Sequence, residues 1–468
     1  MTLRVALHVA LRSAAAAGLL LLPPAALALD LLQAWQGAQQ QAPEAAVAAA
    51  ARDAGAARAS QAQALWRPTL GLEAGVSYAS ADTATRGALF AAPGFGRSTG
   101  VSFDSSVTGG TSTRYALALR QPIYGRERSA SARTLEIAAE AAALEWAQAQ
   151  QALMLRSTEA YFNVVLAAER LRLLGQQQQA VEEAAVEAAD RFRLGDRPVT
   201  EVHEAQARAA ALEAERLVAQ TQWHLSREAL ADLTGLQVQA AALWLPQEVR
   251  VNDVPALQEC LARAERGNPA LRLADAQWRR AQAQARASAS AWSPTVDVVA
   301  RLSHERLAGD GDFGRARQSG RQAAIGLVLS VPLYTGGLRD AQHAEGRALA
   351  EQAGAEWLRV RLQVAQQVHA AWLALSIGGR RTGALLAALQ AGRVRLDATR
   401  TGQQAGDRTL LDVLNAENDA AAAEFAVLEA RVRQLSERLR LAALAGELDE
   451  VLLAQVNGQL RPPDGRGP

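Results

Sequence analysis

Residues 191–202 read RFRLGDRPVTEV, and residues 404–413 read QAGDRTLLDV. Each stretch places a Gly-Asp-Arg turn between two long Ala-rich segments of helical pattern, with an acid six residues after the glycine. Glycine readily supplies the left-handed backbone conformation that ends many helices. Each stretch therefore predicts the tip of a long antiparallel helical hairpin.

The two hairpins belong to two halves of the chain that share one plan. The triplet WRP at residues 66–68 recurs as WSP at 292–294, and QPIYG at 121–125 recurs as VPLYTG at 331–336. Ordered recurrence of several such landmarks indicates an internal duplication. We divide the chain accordingly into a first repeat, 29–253, a second repeat, 254–446, and a side element with a flexible tail, 447–468.

Between these landmarks the hydrophobic period changes from helical to two. The alternation predicts four strands, at residues 68–80, 112–124, 294–306 and 321–334. Each has about the length that a tilted barrel strand needs to cross a bilayer, roughly 9–11 residues. Four aromatic residues border these strands at one end, as a membrane-interface belt would: Trp66, Tyr124, Trp292 and Tyr334. The alternative is a pair of soluble hairpins with one buried face.

Helical patterns fill most of the remaining chain. They cover residues 30–65, 126–193, 199–234, 254–291, 338–404 and 410–445, with small side elements at 237–253. The two longest, at 1.5 Å per residue, would each reach about 100 Å. Two shorter helices stacked end to end would match one long helix, which predicts a long helical bundle.

The N-terminal segment, residues 1–28, has the pattern of a secretory signal peptide. Arg4 and Arg12 precede an apolar run, and Ala26-Leu27-Ala28 supplies the small-x-small cleavage pattern. The mature protein would then lie outside the cytoplasm. The formal net charge of +1 implies no global attraction to nucleic acid. The single cysteine, Cys260, excludes an internal disulfide or a four-cysteine zinc site, and we expect no cofactor or metal.

A protomer with four membrane strands would present open sheet edges. Lipid offers no partner for the N–H and C=O groups of such edges, so the sheet has to close with further copies. This reasoning predicts an oligomer without giving the number of copies.

The signal peptide, the duplicated halves, the strand borders and the two tips together resemble the TolC outer-membrane efflux family. The resemblance implies a mixed α/β membrane protein: a trimeric 12-stranded β-barrel with four strands per protomer, continued by a long α-helical barrel. It also implies docking of the tips onto a periplasmic adaptor tied to an inner-membrane transporter of the ABC or RND type. Such a protein would span the outer membrane of a Gram-negative bacterium, contact its lipid and extend into the periplasm. It would be a passive, gated duct and not an enzyme.

The resemblance assigns a closed periplasmic aperture to four residues near the tips: Thr200, Glu201, Arg408 and Asp412. Carboxylates and an arginine in a narrow constriction can hold it shut by charge-assisted hydrogen bonds. A ring of acids would also attract cations. The alternative is that the acids are solvated helix-start residues favoured by the helix dipole.

Six further tip residues are the candidates for adaptor docking: Leu194, Gly195, Asp196, Ala405, Gly406 and Asp407. Plain turn chemistry is the alternative explanation for them. In the second long helix, Gly378 and Gly379 are a candidate hinge, since glycine weakens a helix and the first long helix lacks such a cluster.

A glycine motif and a second possible function need separate consideration. The pattern Gly309-x-Gly311-x-x-Gly314 lies between two predicted strands and does not open a helix, so we interpret it as an outward loop and not as a dinucleotide site. The rival is a soluble periplasmic coiled-coil scaffold or adaptor. Within the duct interpretation, the transported substrate, protein or small molecule, stays open.

Overall fold

The computed structural model describes residues 29–196, 198–237, 243–247, 249, 254–311 and 314–461. The predicted signal peptide 1–28, most of the predicted side elements at 237–253 and the end of the predicted tail therefore lie outside the described residues.

The chain forms helices and strands in the following order: α1 (Leu31–Gln41), α2 (Pro43–Ala64), β1 (Thr69–Ala92), β2 (Gly96–Gly125), α3 (Arg126–Arg193), α4 (Val199–Thr234), β3 (Leu245–Pro246), α5 (Leu257–Gly267), α6 (Pro269–Ser290), β4 (Thr295–Gly311), β5 (Gly314–Ser330), α7 (Leu338–Ala405), α8 (Leu410–Ala445), α9 (Glu450–Asn457) and β6 (Leu460–Arg461).

The helices repeat in pairs of equal length. α1 and α5 have 11 residues each, and α2 and α6 have 22 each. α3 and α7 have 68 residues each, and α4 and α8 have 36 each. From α1 to α4 and from α5 to α8 the order of elements is also the same, so these two parts of the chain are structural repeats.

Two of the predicted helices are each broken into two. The predicted helix 30–65 breaks at Ala42, and the predicted helix 254–291 breaks at Asn268; both residues have extended backbone. Each precedes a proline, Pro43 or Pro269, whose ring disfavours helical geometry in the residue before it.

The strands differ from their predicted limits at the ends away from the helices. Residues 81–111 lie between the two strands predicted for the first repeat, but they form paired strand up to Ala92 opposite Gly96. β4 and β5 likewise continue to Gly311 opposite Gly314. At the other end, β5 stops at Ser330, before Pro332, which has no N–H to donate to a neighbour.

The described chain divides into two compact units. The tip unit consists of the described residues within 29–49, 147–269 and 361–461, and the sheet unit of those within 50–146 and 270–360. No helix among the described residues combines the length and the hydropathy required to cross a membrane.

The core of the tip unit surrounds the fully buried Tyr161 of α3. Its hydroxyl oxygen lies 3.1 Å from the carbonyl oxygen of Leu29 and 3.0 Å from both the carbonyl oxygen and the amide of Trp244. Burial raises the pKa of Tyr161, so the hydroxyl stays protonated. Asn457 of α9 accepts a hydrogen bond from the Leu31 amide at 3.0 Å. These bonds hold the first described residues against segments far along the chain.

The sheet unit contains a four-stranded antiparallel sheet in the order β1-β2-β4-β5. Its helical part is held by a stacked pair, Trp278 and Trp357, with ring centroids 5.5 Å apart. Arg279 adds a bond to Glu140 at 2.7 Å. Within the described sheet, β1 and β5 each have one neighbour only, so their outer edges are open.

Candidate functional site: the hairpin tips and the two-faced sheet

The first tip closes with a turn that glycine makes possible. Gly195 has φ of +79°, and the Asp196 amide donates to the Arg191 carbonyl at 2.9 Å. This bond spans six residues, as in the Schellman motif that ends many helices. Leu194 is 83% exposed at the turn. An apolar side chain that exposed contributes nothing to the core.

The second tip has the same geometry. Gly406 has φ of +86°, and the Asp407 amide donates to the Gly402 carbonyl at 2.9 Å. Ala405, Gly406 and Asp407 are all exposed, as are Leu194, Gly195 and Asp196 at the first tip. Ordinary turn chemistry, the alternative explanation for these residues, accounts for the backbone geometry of both tips. Their side chains are exposed and therefore accessible to a partner.

The two acids near the tips occupy equivalent positions in the two repeats. Glu201 and Asp412 each lie six residues after a tip glycine, in the first turn of the helix that follows the tip. Farther from the tips, two ion pairs join α3 to its neighbours: Arg170–Glu215 at 3.8 Å joins it to α4, and Arg172–Glu424 at 3.1 Å joins it to α8.

Asp412 also caps its own helix. The Thr409 amide donates to its carboxylate at 3.0 Å, and the Asp412 amide donates back to the Thr409 hydroxyl at 3.2 Å. The bond from the Thr409 amide, helped by the Thr409 hydroxyl, lowers the pKa of Asp412. The carboxylate therefore stays charged as the pH falls through its ordinary range, and the cap is lost only below that range. Asp412 therefore caps the start of its helix, which was the alternative role that the sequence allowed.

The first tip lacks this capping box. Pro198 is the residue before α4 and makes no side-chain cap bond. Glu201 occupies the third position of α4, as Asp412 does in α8, and Thr200 beside it is exposed. Arg408 is exposed and lies across Gly402: a Cβ at that glycine would be 2.8 Å from the Arg408 Cγ. All four candidate aperture residues are thus at the bases of the tips.

The candidate hinge packs against α8. A Cβ added to Gly378 would lie 3.5 Å from Gln434, and one added to Gly379 would lie 3.8 Å from it, both at ordinary contact distance. A cavity of about 370 Å³ is lined here by both helices. α7 is an unbroken helix through this point. Alanine therefore fits at both glycines.

Each of the two tryptophans of the predicted belt packs against an arginine at an equivalent position of its repeat. Arg128 near the start of α3 stacks on Trp66, 5.7 Å from guanidinium carbon to ring centroid. Arg339 near the start of α7 stacks on Trp292 at 5.6 Å. Of the two tyrosines, Tyr124 is 43% and Tyr334 is 85% exposed. The belt residues lie where the strands meet the helices, with Tyr334 in the segment after β5.

One face of the sheet is apolar and exposed. Cross-strand pairing aligns its side chains into rows: Leu72, Leu117, Leu302 and Ala323 form one row, and Leu70, Leu119, Ala300 and Ile325 the next. Leu72 is 72% and Ile325 is 79% exposed. A continuous apolar surface of this kind on a sheet face marks contact with a partner or with lipid.

Sequence reasoning missed a second aromatic group on this face. Tyr115 and Tyr78 lie at the end of the rows away from the helices and are 54% and 83% exposed. Tyr115 is nine residues from Tyr124 along β2. At about 3.4 Å per residue and a tilt of about 40°, that separation is roughly 23 Å along the normal, close to the apolar band of outer-membrane barrels.

The opposite face is polar and centred on a buried acid that sequence reasoning also missed. Asp297 of β4 is 2% exposed and accepts a bond from Arg120 of β2, at 3.0 Å, and one from Arg128 of α3, at 3.2 Å. The same face carries the pair Glu73–Arg301. The alternation of Asp297 with valines was the available sequence signal, because it placed a carboxylate on one face of the sheet. It did not identify the arginines that pair with that carboxylate.

A two-faced sheet with open edges, joined to two long helical hairpins whose tips are exposed, defines the class of channel-forming outer membrane proteins. Comparison with known proteins agrees. The sequence profile of the outer membrane efflux protein family matches residues 34–236 and 260–447. Outer membrane protein TolC of Escherichia coli is 25% identical over 446 residues, which are 94% of this chain and 86% of that protein. The proteases secretion protein PrtF of Dickeya chrysanthemi is 25% identical over 440 residues, 92% of this chain and 90% of that protein.

Solved structures share the fold. The outer membrane protein VceC of Vibrio cholerae superposes with a TM-score of 0.70 at 20% identity, covering 90% of this chain and 97% of VceC. The open state of the MtrE channel of Neisseria gonorrhoeae gives a TM-score of 0.68 at 19% identity, with 91% and 93% covered. The fold class is that of the trimeric channels with an α-helical barrel and a β domain, as predicted.

The chain belongs to the outer membrane efflux protein family. It is an export channel of the outer membrane of a Gram-negative bacterium that extends into the periplasm, and it is not an enzyme. Membership excludes the rival interpretation as a soluble scaffold.

Proposed function

We propose that three copies of this chain close their four-stranded sheets into one twelve-stranded barrel. We propose further that the resulting channel takes its cargo from an inner-membrane transporter through a periplasmic adaptor that docks on the tips. The observation that carries the proposal is the sheet, which has an apolar exposed face and two open edges. An edge strand in lipid needs a partner for every backbone group, and a neighbouring copy supplies it.

The cargo is either protein or small molecules. Among the relatives, PrtF is named for secretion of proteases and BepC of Brucella suis for efflux, so both kinds of name occur. The polar face of the sheet would line the barrel, where its acids and arginines pair with one another. Such a charge-balanced lining favours neither sign of cargo, and selection would fall to the transporter.

The aperture proposal rests on the equivalent positions of Glu201 and Asp412, each the third residue of the helix that follows a tip. In a trimer, these residues would place six carboxylates around one constriction, with Arg408 beside them. Carboxylates held together there attract cations, and their hydrogen bonds to arginine hold the helices of neighbouring hairpins together.

Replacing both acids by amides, E201Q/D412N, should open the channel and weaken its preference for cations. Each lost charge-assisted bond is worth about 1.5–3 kcal/mol, so the closed state should be destabilised at least tenfold. Single-channel conductance and reversal potential in planar bilayers measure both effects. The matched control is E204Q/E429Q, which removes two exposed acids from the same helices. If the control and the aperture variant behave alike, or if neither changes conductance, the aperture is elsewhere.

The hinge proposal is tested by G378A/G379A. Alanine should stiffen α7 by about 0.5–1 kcal/mol at each position, and the change should fit sterically. If opening bends α7 there, export should fall by about 5- to 30-fold while trimer assembly is unaffected. Export is measured in cells that carry the matching transporter and adaptor. The control is G175A in α3, where a Cβ meets nothing within 4 Å. Unchanged export in G378A/G379A would contradict the hinge proposal.

A further inference from the structure

The apolar face of the sheet changes character at its outer end. Along β4 and β5, the pair Leu302–Ala323 is followed on the same face by His304–Arg321, then by Arg306–Ser319, and then by Ala308–Arg317. Because alternate residues of a strand share a face, these arginines continue the surface formed by Leu302 and Ile325. They do not belong to the polar face that contains Asp297.

The three arginines are exposed, and their own rows contain no acid; the next row outward contains Asp310, which stands opposite Arg315. Arg306, Arg317 and Arg321 make no ion pair with any residue that the structure describes. From the Leu302 row to the Ala308 row, none of the four described strands places an acid on this face. The polar face differs at the same height, since Glu305 there stands opposite Arg114. The positive charge is therefore concentrated on the apolar side of the sheet.

The position of the arginines coincides with the outer boundary of the apolar band. Arg321 shares a row with Tyr115, and Arg317 shares a row with Tyr78, the two outer aromatic residues. Aromatic girdles mark the level of the lipid headgroups on barrel proteins. Along β5, Arg317 and Arg321 are roughly 13 Å apart, with Arg306 between them on β4. Three guanidinium groups thus lie within the span of a single large headgroup.

We propose that Arg306, Arg317 and Arg321 form a binding site for a phosphate-bearing lipid headgroup of the outer leaflet. Guanidinium groups bind phosphate oxygens in pairs through their planar fork, and they do so best where neighbouring acids do not compete. The acyl chains of the bound lipid would lie against the rows of Leu302 and Ile325. The inference rests on the barrel proposed above, because only there does this face meet lipid.

The test is lipid retention by the detergent-purified full-length trimer. The probes are lipid A with its two phosphates and the same lipid after enzymatic removal of both phosphates, and bound lipid is counted by native mass spectrometry. The wild type should bind the phosphorylated form at least about tenfold more tightly, since each charge-assisted bond contributes a factor of about ten or more. The variant R306Q/R317Q/R321Q should lose that preference, while R306K/R317K/R321K should keep most of it.

A matched control removes three arginines from the other two strands of the same sheet, β1 and β2. R86Q/R97Q/R114Q changes the net charge equally and should bind the lipid as the wild type does. An equal loss in this control, or an unchanged preference in R306Q/R317Q/R321Q, overturns the proposal. Displacement of the lipid by millimolar inorganic phosphate would also overturn it, because the site would then be one for a free anion.

Heat-modifiable migration on gels, measured first, separates failure of the barrel from failure of the lipid site. If the triple glutamine variant does not assemble, the single variants R306Q, R317Q and R321Q replace it. Each should then reduce the preference for phosphorylated lipid, and three unchanged single variants would overturn the site.

Discussion

Replacing Ile325 by arginine is expected to abolish assembly of the channel in the outer membrane. Ile325 is 79% exposed on the apolar face and lies in the row of Leu119, near the middle of the band between Tyr124 and Tyr115. An arginine at the bilayer midplane of a barrel costs about 2–4 kcal/mol. Three copies raise the cost to about 6–12 kcal/mol per trimer, which is comparable to the whole stability of many proteins.

The control for this prediction is the next residue along the same strand. Gly326 faces the polar side, opposite Val299, and a Cβ added there meets nothing within 4 Å. G326R should assemble into heat-modifiable trimers in the outer membrane, whereas I325R should not. Membrane fractionation followed by unheated gel electrophoresis measures both. If both variants assemble equally well, the apolar face is not the lipid face.

Replacing Asp297 by alanine should be the most destabilising single change on the polar face. Its buried carboxylate joins β4 to Arg120 of β2 and to Arg128 of α3, whose side chain is only 20% exposed. Removing one partner of a buried ion pair leaves the other charge uncompensated and costs about 3–5 kcal/mol. Because Arg120 is 56% exposed and can turn to water, we expect the lower end, about 3 kcal/mol.

The comparison is with Glu73, which pairs with Arg301 on the same face. Its side chain is 75% exposed and that of Arg301 is 47% exposed, so E73A should cost less than about 1 kcal/mol. Guanidinium unfolding of the detergent-solubilised protein measures both variants. Combining D297A with R128A should cost less than the two changes added together, because the pair is already broken. Equal effects of D297A and E73A would contradict a special role for the buried acid.

Much of the fold can be inferred from local patterns. The change of hydrophobic period located the strands nearest the helices, and the two Gly-Asp-Arg turns located the ends of the long helices. The distal parts of β1 and β2 could not be found in this way, because their Gly, Ser and Thr residues carry no apolar alternation. Their strand conformation comes from backbone pairing between the two strands.

Some of the candidate sites can likewise be inferred from local patterns, and others cannot. The tip residues, the candidate hinge and the inner aromatic belt follow from motif and position. The partners of Asp297, the outer tyrosines and the arginines beyond them do not, since each depends on which residues face each other across strands.

By itself, the sequence determined what each segment becomes, because helical and strand periods, glycine turns and prolines act over a few residues. Only the tertiary structure decided which side chains share a face, a row or a height. Those relations arise from the register between segments that are 100 or more residues apart, as between Arg120 and Asp297, and no local pattern records that register.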